Sequence, residues 1–232
     1  ANIDAIGVSV TPRDVEGSYM PCFLAGKAVA YGIASTHNIP VCEFSHQAGH
    51  IMAALYSSNH LEELISNDFV AFHVSGGTTE ALYVSPKDNN FDVHIIAETD
   101  DISAGQAIDR VGVMMGMKFP CGRQIEEFAS QFNGKLPNAK ISVKNGKCNL
   151  SGLENMARKL YEEGQDVGKT AAFVFEYIGN TITAICENFI SIYGEMPFVF
   201  AGGVMCNSII KSKLKSKFVS CIEHHCGSAA DK

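Results

Sequence analysis

No stretch of this 232-residue chain is apolar for long enough to cross a bilayer, and its start, Ala1-Asn2-Ile3-Asp4, has neither a basic region nor a cleavage signal. These absences point to a cytoplasmic protein with no membrane partner. There is no low-complexity segment and no short-period repeat, so a solenoid is excluded. An excess of positive charge is also missing, since 18 Lys and Arg stand against 25 Asp and Glu for a net charge of −7. Coating nucleic acid draws its affinity from phosphate neutralisation, so any such contact has to be local. The one basic run, Lys211 to Lys217, reads as a solvated helix face. Eight cysteines fall in apolar segments without a paired framework, which fits reduced thiols rather than secreted disulfides.

What the chain does have is 46% apolar residues, enough for a sizeable core in one large domain or two lobes. Strand and helix signals alternate from the start: a strand over Ile3 to Val10, a helix over Pro21 to Thr36, a strand over Ile39 to Phe44 and a helix over His46 to Ser58 with an Ile51, Met52 and Leu55 stripe. After an acidic connector, Leu61 to Asp68, two apolar runs flank Ser75-Gly76-Gly77-Thr78-Thr79 and predict a hairpin. A third strand (Phe91 to Glu98), helices (Ser103 to Met117, Gln124 to Phe132, Leu153 to Glu163, Val167 to Tyr193), a buried strand (Phe198 to Ala201), a helix (Asn207 to Lys215) and a last strand (Phe218 to Ile222) follow. The later part reads as three strands, helices, strand, helix, strand. The earlier part reads as the closing section of a similar unit, which predicts a duplicated α/β fold lacking its beginning.

Four constellations carry chemistry. The glycines of the Ser75 to Thr79 turn let an anion approach backbone amides, and the threonines add hydroxyl donors, although neither the Walker nor the dinucleotide glycine pattern is present. His46 and His50 stand at i and i+4, which on a helix puts two imidazoles on one face at metal-ligand spacing. Gln47 occupies the place where a zinc protease needs a glutamate base, and glutamine cannot take a proton from water. Asp109 is placed to accept hydrogen bonds from ribose hydroxyls, with a plain surface aspartate as the alternative. Gly202-Gly203-Val204-Met205-Cys206-Asn207 follows a strand and opens a helix, a common ligand mouth in α/β folds or simply a tight connection. Cys221, His224, His225 and Cys226 lack the spacing of a regular zinc finger.

Six motifs, in order, resemble those of the tRNA threonylcarbamoyladenosine synthases, the family also called O-sialoglycoprotein endopeptidase or glycoprotease-like. They are His46 to His50, Val74 to Thr79, Asp101 to Arg110, Phe119 to Gly122, Leu150 to Leu153 and Ala201 to Ser208. The resemblance implies an actin-like fold (ribonuclease H-like lobes, as in hexokinase), with residues 1–66 the remainder of a first lobe and 67–232 a second. It implies an adenine nucleotide (threonylcarbamoyl-AMP, ATP or AMP) on Ser75, Gly76, Gly77, Thr78, Thr79, Asp109, Gly122 and Asn207. It also implies an iron or zinc ion on His46, His50 and Asp231. The implied reaction is threonylcarbamoyl transfer from threonylcarbamoyl-AMP to a tRNA adenosine, with tRNA reached through partner proteins of the modification machinery or a homodimer. Thr78 stands where the family has histidine, and the acidic first-strand motif of the family is not in this sequence. A catalytically silent nucleotide-binding scaffold is therefore the alternative expectation, with a metalloendopeptidase third.

Overall fold

The computed structural model describes residues 3–87, 90–218 and 221–223. They form two compact units, one of Ala1–Asp68 with Val84–His94 and one of Phe69–Tyr83 with Ile95–Lys232.

In the first unit, β1 (Ile6–Thr11) and β2 (Val41–Ser45) pair in parallel with Ile6 opposite Val41. The helix between them, α1 (Pro21–His37), starts on proline, whose fixed φ suits a first helical position, and stops at Asn38 in the left-handed conformation. It is apolar nearly all round and buries only Ala30 and Ala34, leaving Leu24, Val29, Tyr31 and Ile33 exposed. Helix α2 (His46–Ser58) is capped by Ser45, whose hydroxyl accepts from the Ala48 amide and donates to Asp14. Ile51 and Leu55 are buried as their spacing predicts, whereas Met52 lies on the exposed side. The acidic connector contains a helix of its own, α3 (Leu61–Leu64).

A mixed sheet is the frame of the second unit, with residues 84–87 and 90–94, the ends of two of its strands, falling in the first unit. Its strands are β3 (Phe69–Val74), β4 (Thr79–Lys87), β5 (Asn90–Thr99), β6 (Val143–Lys144), β7 (Lys147–Cys148), β8 (Phe198–Ala201) and β9 (Cys221–Glu223), in the order β6-β7-β5-β4-β3-β8-β9. β8 runs parallel to β3 and β9, and β7 parallel to β5. The short β6–β7 pair lies between α5 and α6, where the sequence reading placed no strand, and β9 starts later than the predicted Phe218.

Helices α4 (Ala104–Met114), α5 (Gly122–Gln131), α6 (Ser151–Gly164), α7 (Val167–Tyr193) and α8 (Ser208–Lys217) supply the core against this sheet. α7 begins on Asp166, whose side chain accepts from the Lys169 amide, and ends at Gly194. Its apolar face meets Phe72, Phe198 and Phe200, with Phe72 and Phe200 stacked at 4.9 Å. Each fully buried phenylalanine of this cluster is worth about 2 kcal/mol of transfer energy. The basic run on α8 is paired with α7 through Lys213 to Glu176 and Lys217 to Glu187. Cys22, Cys42, Cys121, Cys148 and Cys186 are free, whereas Cys206 is disulfide-bonded, a departure from the all-reduced expectation. Among the described residues no helix is long and apolar enough to cross a membrane.

Candidate functional site

The Ser75 to Thr79 turn owes its shape to side-chain hydrogen bonds. The Ser75 hydroxyl accepts from the amides of Gly77 (3.3 Å) and Thr78 (3.1 Å), and the Ser75 amide donates to the Thr78 carbonyl at 2.7 Å. The sequence reads these amides as open to a ligand, but the hydroxyl of Ser75, two and three residues back, already engages two of them. Thr79 is buried, and its hydroxyl accepts from the Ala104 amide at 2.8 Å, so it anchors the start of α4 rather than facing solvent. Below the turn, Ser103 donates to the Gly76 carbonyl at 2.6 Å while capping α4 in a reciprocal box with Gln106. The Gly105 amide donates to the Ser75 carbonyl, and a Cβ on Gly105 would lie 2.6 Å from Gly76 Cα, so only glycine fits there. A Cβ on Gly76 or Gly77 would meet nothing within 4 Å, so these two glycines face open space.

Asp109 lies one helical turn further along α4. Its Oδ1 accepts from the Cys121 amide at 2.7 Å, tying α4 to the start of α5, where Gly122 faces open space. Burial, helped by the Asp109 charge, pushes the Cys121 thiol above its usual pKa. Four residues beyond Gly122, Glu126 accepts from both the amide (2.7 Å) and the hydroxyl (2.6 Å) of Ser208. Asn207, which precedes Ser208, is buried, and its Oδ1 accepts from the amides of Ile209 and Ile210. The N-terminus of α8 is thus capped by the protein itself and does not present the free amides that the sequence implied. The Asn207 Nδ2 is buried with no hydrogen-bond partner.

Gly76 and Asp109 line one groove of about 840 Å3, whereas Gly122 and Asn207 do not line it and are tied in only through neighbours, Cys121 bonded to Asp109 and Ser208 bonded to Glu126. Glu126 escaped notice in the sequence, although its i+4 spacing from Gly122 puts it on the same face of α5. Asp101, at the head of its motif, is bonded across to the start of α6. Although burial works against its charge, the Ser151 hydroxyl and the amides of Leu150, Ser151 and Ile102 hold its carboxyl well below the usual range. It joins the Asp101 to Arg110 and Leu150 to Leu153 motifs at the start of α6. Burial beside it pushes the Cys148 thiol up to about 11, so that thiol stays protonated at neutral pH.

In the first unit, His46 and His50 occupy successive turns of α2, both exposed, with their Nε2 atoms 3.0 Å apart. Two nitrogens bound at right angles about 2.1 Å from one ion lie about 3 Å apart, so the pair fits a shared metal as it stands. Gln47 is buried, off the face that the two histidines share. Among the described residues no three His, Cys, Asp or Glu side chains form a metal group. Asp231, His224, His225 and Cys226 lie outside the described residues, as does the side chain of Cys221.

Strand order and helical cover define an α/β protein with the fold of HypF. The Thermococcus kodakarensis HypF structure superposes with a TM-score of 0.69 at 13% identity, covering 96% of this chain and 38% of that one. Component A of (R)-2-hydroxyglutaryl-CoA dehydratase from Acidaminococcus fermentans follows with a TM-score of 0.53 at 11% identity, covering 88% and 79%. The model of the tRNA N6-adenosine threonylcarbamoyltransferase family matches residues 1–226, and the chain belongs to that family. Relatives of that description from Streptococcus uberis (32% identical over 225 residues) and Ligilactobacillus salivarius (30% over 229) cover 93% and 94% of this chain. The chain spans 63% and 62% of their respective lengths.

Proposed function

We propose that the second unit binds the adenylate part of threonylcarbamoyl-AMP, and AMP or ATP in its place, and that the protein carries the family's threonylcarbamoyl transfer to a tRNA adenosine. The observation that carries this is the Asn207 amide: a buried donor without a partner costs about 1–3 kcal/mol, and an acceptor on a bound nucleotide recovers it. The open space at Gly76 and Gly77 admits phosphate close to the backbone, with the Ser75 hydroxyl shaping the turn, the Thr79 hydroxyl anchoring it to α4 and Thr78 beside them at its edge. The second oxygen of Asp109 accepts from a ribose hydroxyl, and the space at Gly122 leaves room for the nucleoside. Full-length HypF, which shares the fold at a TM-score of 0.68, was solved in a phosphate- and nucleotide-bound form. Fixing the adenylate in this way orients the leaving group and keeps the threonylcarbamoyl carbonyl in reach of the acceptor amine.

His46 and His50, with Asp231 as third ligand, would hold an iron or zinc ion, which supplies Lewis-acid polarisation of the substrate when bound. In this reading residues 1–66 and 67–232 belong to two actin-like lobes, and the cytoplasmic protein meets tRNA through partner proteins or as a homodimer. The engagement of the Gly77 and Thr78 amides by Ser75 favours a second reading, a nucleotide-binding scaffold without transfer.

The test is calorimetric titration of AMP into the wild type and Asn207→Ser, which keeps a hydroxyl to cap the helix and removes the Nδ2 donor without adding charge. A loss of about tenfold or more in affinity is expected, and equal affinity overturns the site. Metal content by elemental analysis falls in His46→Ala, and unchanged content removes the histidine pair. AMP binding without tRNA modification, with partner proteins present, selects the scaffold.

A further inference from the structure

Cys206 stands apart from the other described cysteines. Cys22, Cys42, Cys121, Cys148 and Cys186 are free, whereas Cys206 is disulfide-bonded and exposed, its partner sulfur lying outside the described residues. It closes a single 3-10 turn, Gly203–Cys206, that connects β8 to α8 and packs against β3 and α4. In the backbone of that turn the Met205 amide donates to the Gly202 carbonyl at 3.0 Å and the Asn207 amide to the Val204 carbonyl at 3.2 Å. So short a 3-10 segment has poor hydrogen-bond geometry, and a covalent tie at its last residue restricts it. The next residue is Asn207, the cap of α8 whose Nδ2 is buried without a hydrogen-bond partner. The disulfide thus anchors the chain one residue from the donor assigned to the nucleotide. Cys121, Cys148 and Cys186, the free cysteines of the same unit, are buried, and burial raises the first two thiols above their usual pKa, so they stay protonated and do not compete in thiol exchange. Under the cytoplasmic reading above, glutathione-class thiols are abundant, and a disulfide that forms among them serves as a sensor more often than as a structural staple.

We propose that the Cys206 disulfide is a redox switch on the nucleotide site: the oxidised form holds Asn207 in place for the adenylate, and the reduced form frees the Gly203–Cys206 turn and binds AMP more weakly. The inference rests on the nucleotide site proposed above, because Asn207 belongs to both. The reductant is a dithiol or a pair of glutathione-class thiols. One thiolate attacks a sulfur of the bond, the other protein sulfur leaves as a thiolate and takes up a proton, and the second reductant thiolate resolves the mixed disulfide. Two electrons pass to the protein, which gains two thiols, and the reductant departs as its own disulfide. The same couple run backwards restores the clamp.

The experiment is AMP calorimetry on the full chain, oxidised with glutathione disulfide or reduced with dithiothreitol, with alkylation and mass spectrometry reading the state of Cys206. Reduction is expected to weaken AMP binding about tenfold and reoxidation to restore it, a reversal that misfolding cannot mimic. Cys206→Ser is expected to bind at the reduced wild-type affinity under both conditions. Hydrogen exchange at the amides of residues 203–210 is expected to speed up on reduction of the wild type. Equal AMP affinity of the oxidised and reduced protein, with the bond open in the latter, overturns the switch, as does alkylation of Cys206 before any reductant is added. Failure of the wild type to bind AMP in either state, with exchange at residues 203–210 still faster on reduction, would instead overturn the nucleotide site and leave the redox-gated turn standing. With exchange unchanged as well, both fall.

Discussion

Two glycine pairs follow neighbouring strands of the same sheet and are held by different forces. At Gly202, φ is +99° and a Cβ would sit 2.3 Å from the Val74 carbonyl oxygen, so the turn after β8 exists only because glycine lets two backbones touch. At Gly76 and Gly77 a Cβ would meet nothing, and the turn after β3 is shaped by the hydroxyls of Ser75 and Ser103. A glycine pair in sequence thus stands for two physical situations, close backbone approach in one turn and open space beside the backbone in the other.

The sharpest way to break this contrast is Gly202→Ala. Left-handed strain and the clash with Val74 both act, and the expected loss is about 3 kcal/mol or more in urea unfolding. A variant as stable as the wild type would show that the close approach can relax. Next in size is Ser103→Ala, which removes the donor to the Gly76 carbonyl and the cap of α4 together. Thermal unfolding should report a loss of about 1–2 kcal/mol.

Most of the fold was legible because its signals are local. The apolar length of α7 and its closing Gly194 placed the helix over Val167 to Tyr193, where the structure has it, and Phe198 to Ala201 was equally plain as a buried strand. The site was legible as motifs but not as contacts. Ser103 meets Gly76 across 27 residues, Asp101 meets Leu150 across 49, and Glu126 meets Ser208 across 82. No periodicity carries such distances. The same gap explains why the amides of the Ser75 turn and of α8 read as free: the groups that accept from them are common polar side chains whose orientation only the fold sets.

Asp101 joins the segment before α4 to the start of α6, and pH separates its contribution. Its folded pKa is depressed, so its charge stabilises the protein above the unfolded value of about 3.9, and that stability is lost as pH falls below it. Because the group is at the surface, solvent screening keeps the effect at or below about 1 kcal/mol. Asp101→Asn should therefore melt earlier than the wild type at neutral pH, with the gap narrowing toward about pH 3. A gap that does not change with pH would assign the role to shape rather than charge.

The smallest effect on stability is expected at Gly77→Ala, and it is the most telling for the contrast. Gly77 has no left-handed φ and no neighbour near a Cβ, so alanine fits and reduces the freedom of the unfolded chain, for a gain of about 0.4–1 kcal/mol. The methyl group would project into the space that the turn leaves for phosphate. Urea unfolding and AMP calorimetry on this one variant should therefore move in opposite directions, with stability equal or higher and affinity lower by about tenfold. If affinity is kept, the open space beside Gly77 is not where the phosphate sits, and both turns would then be structural.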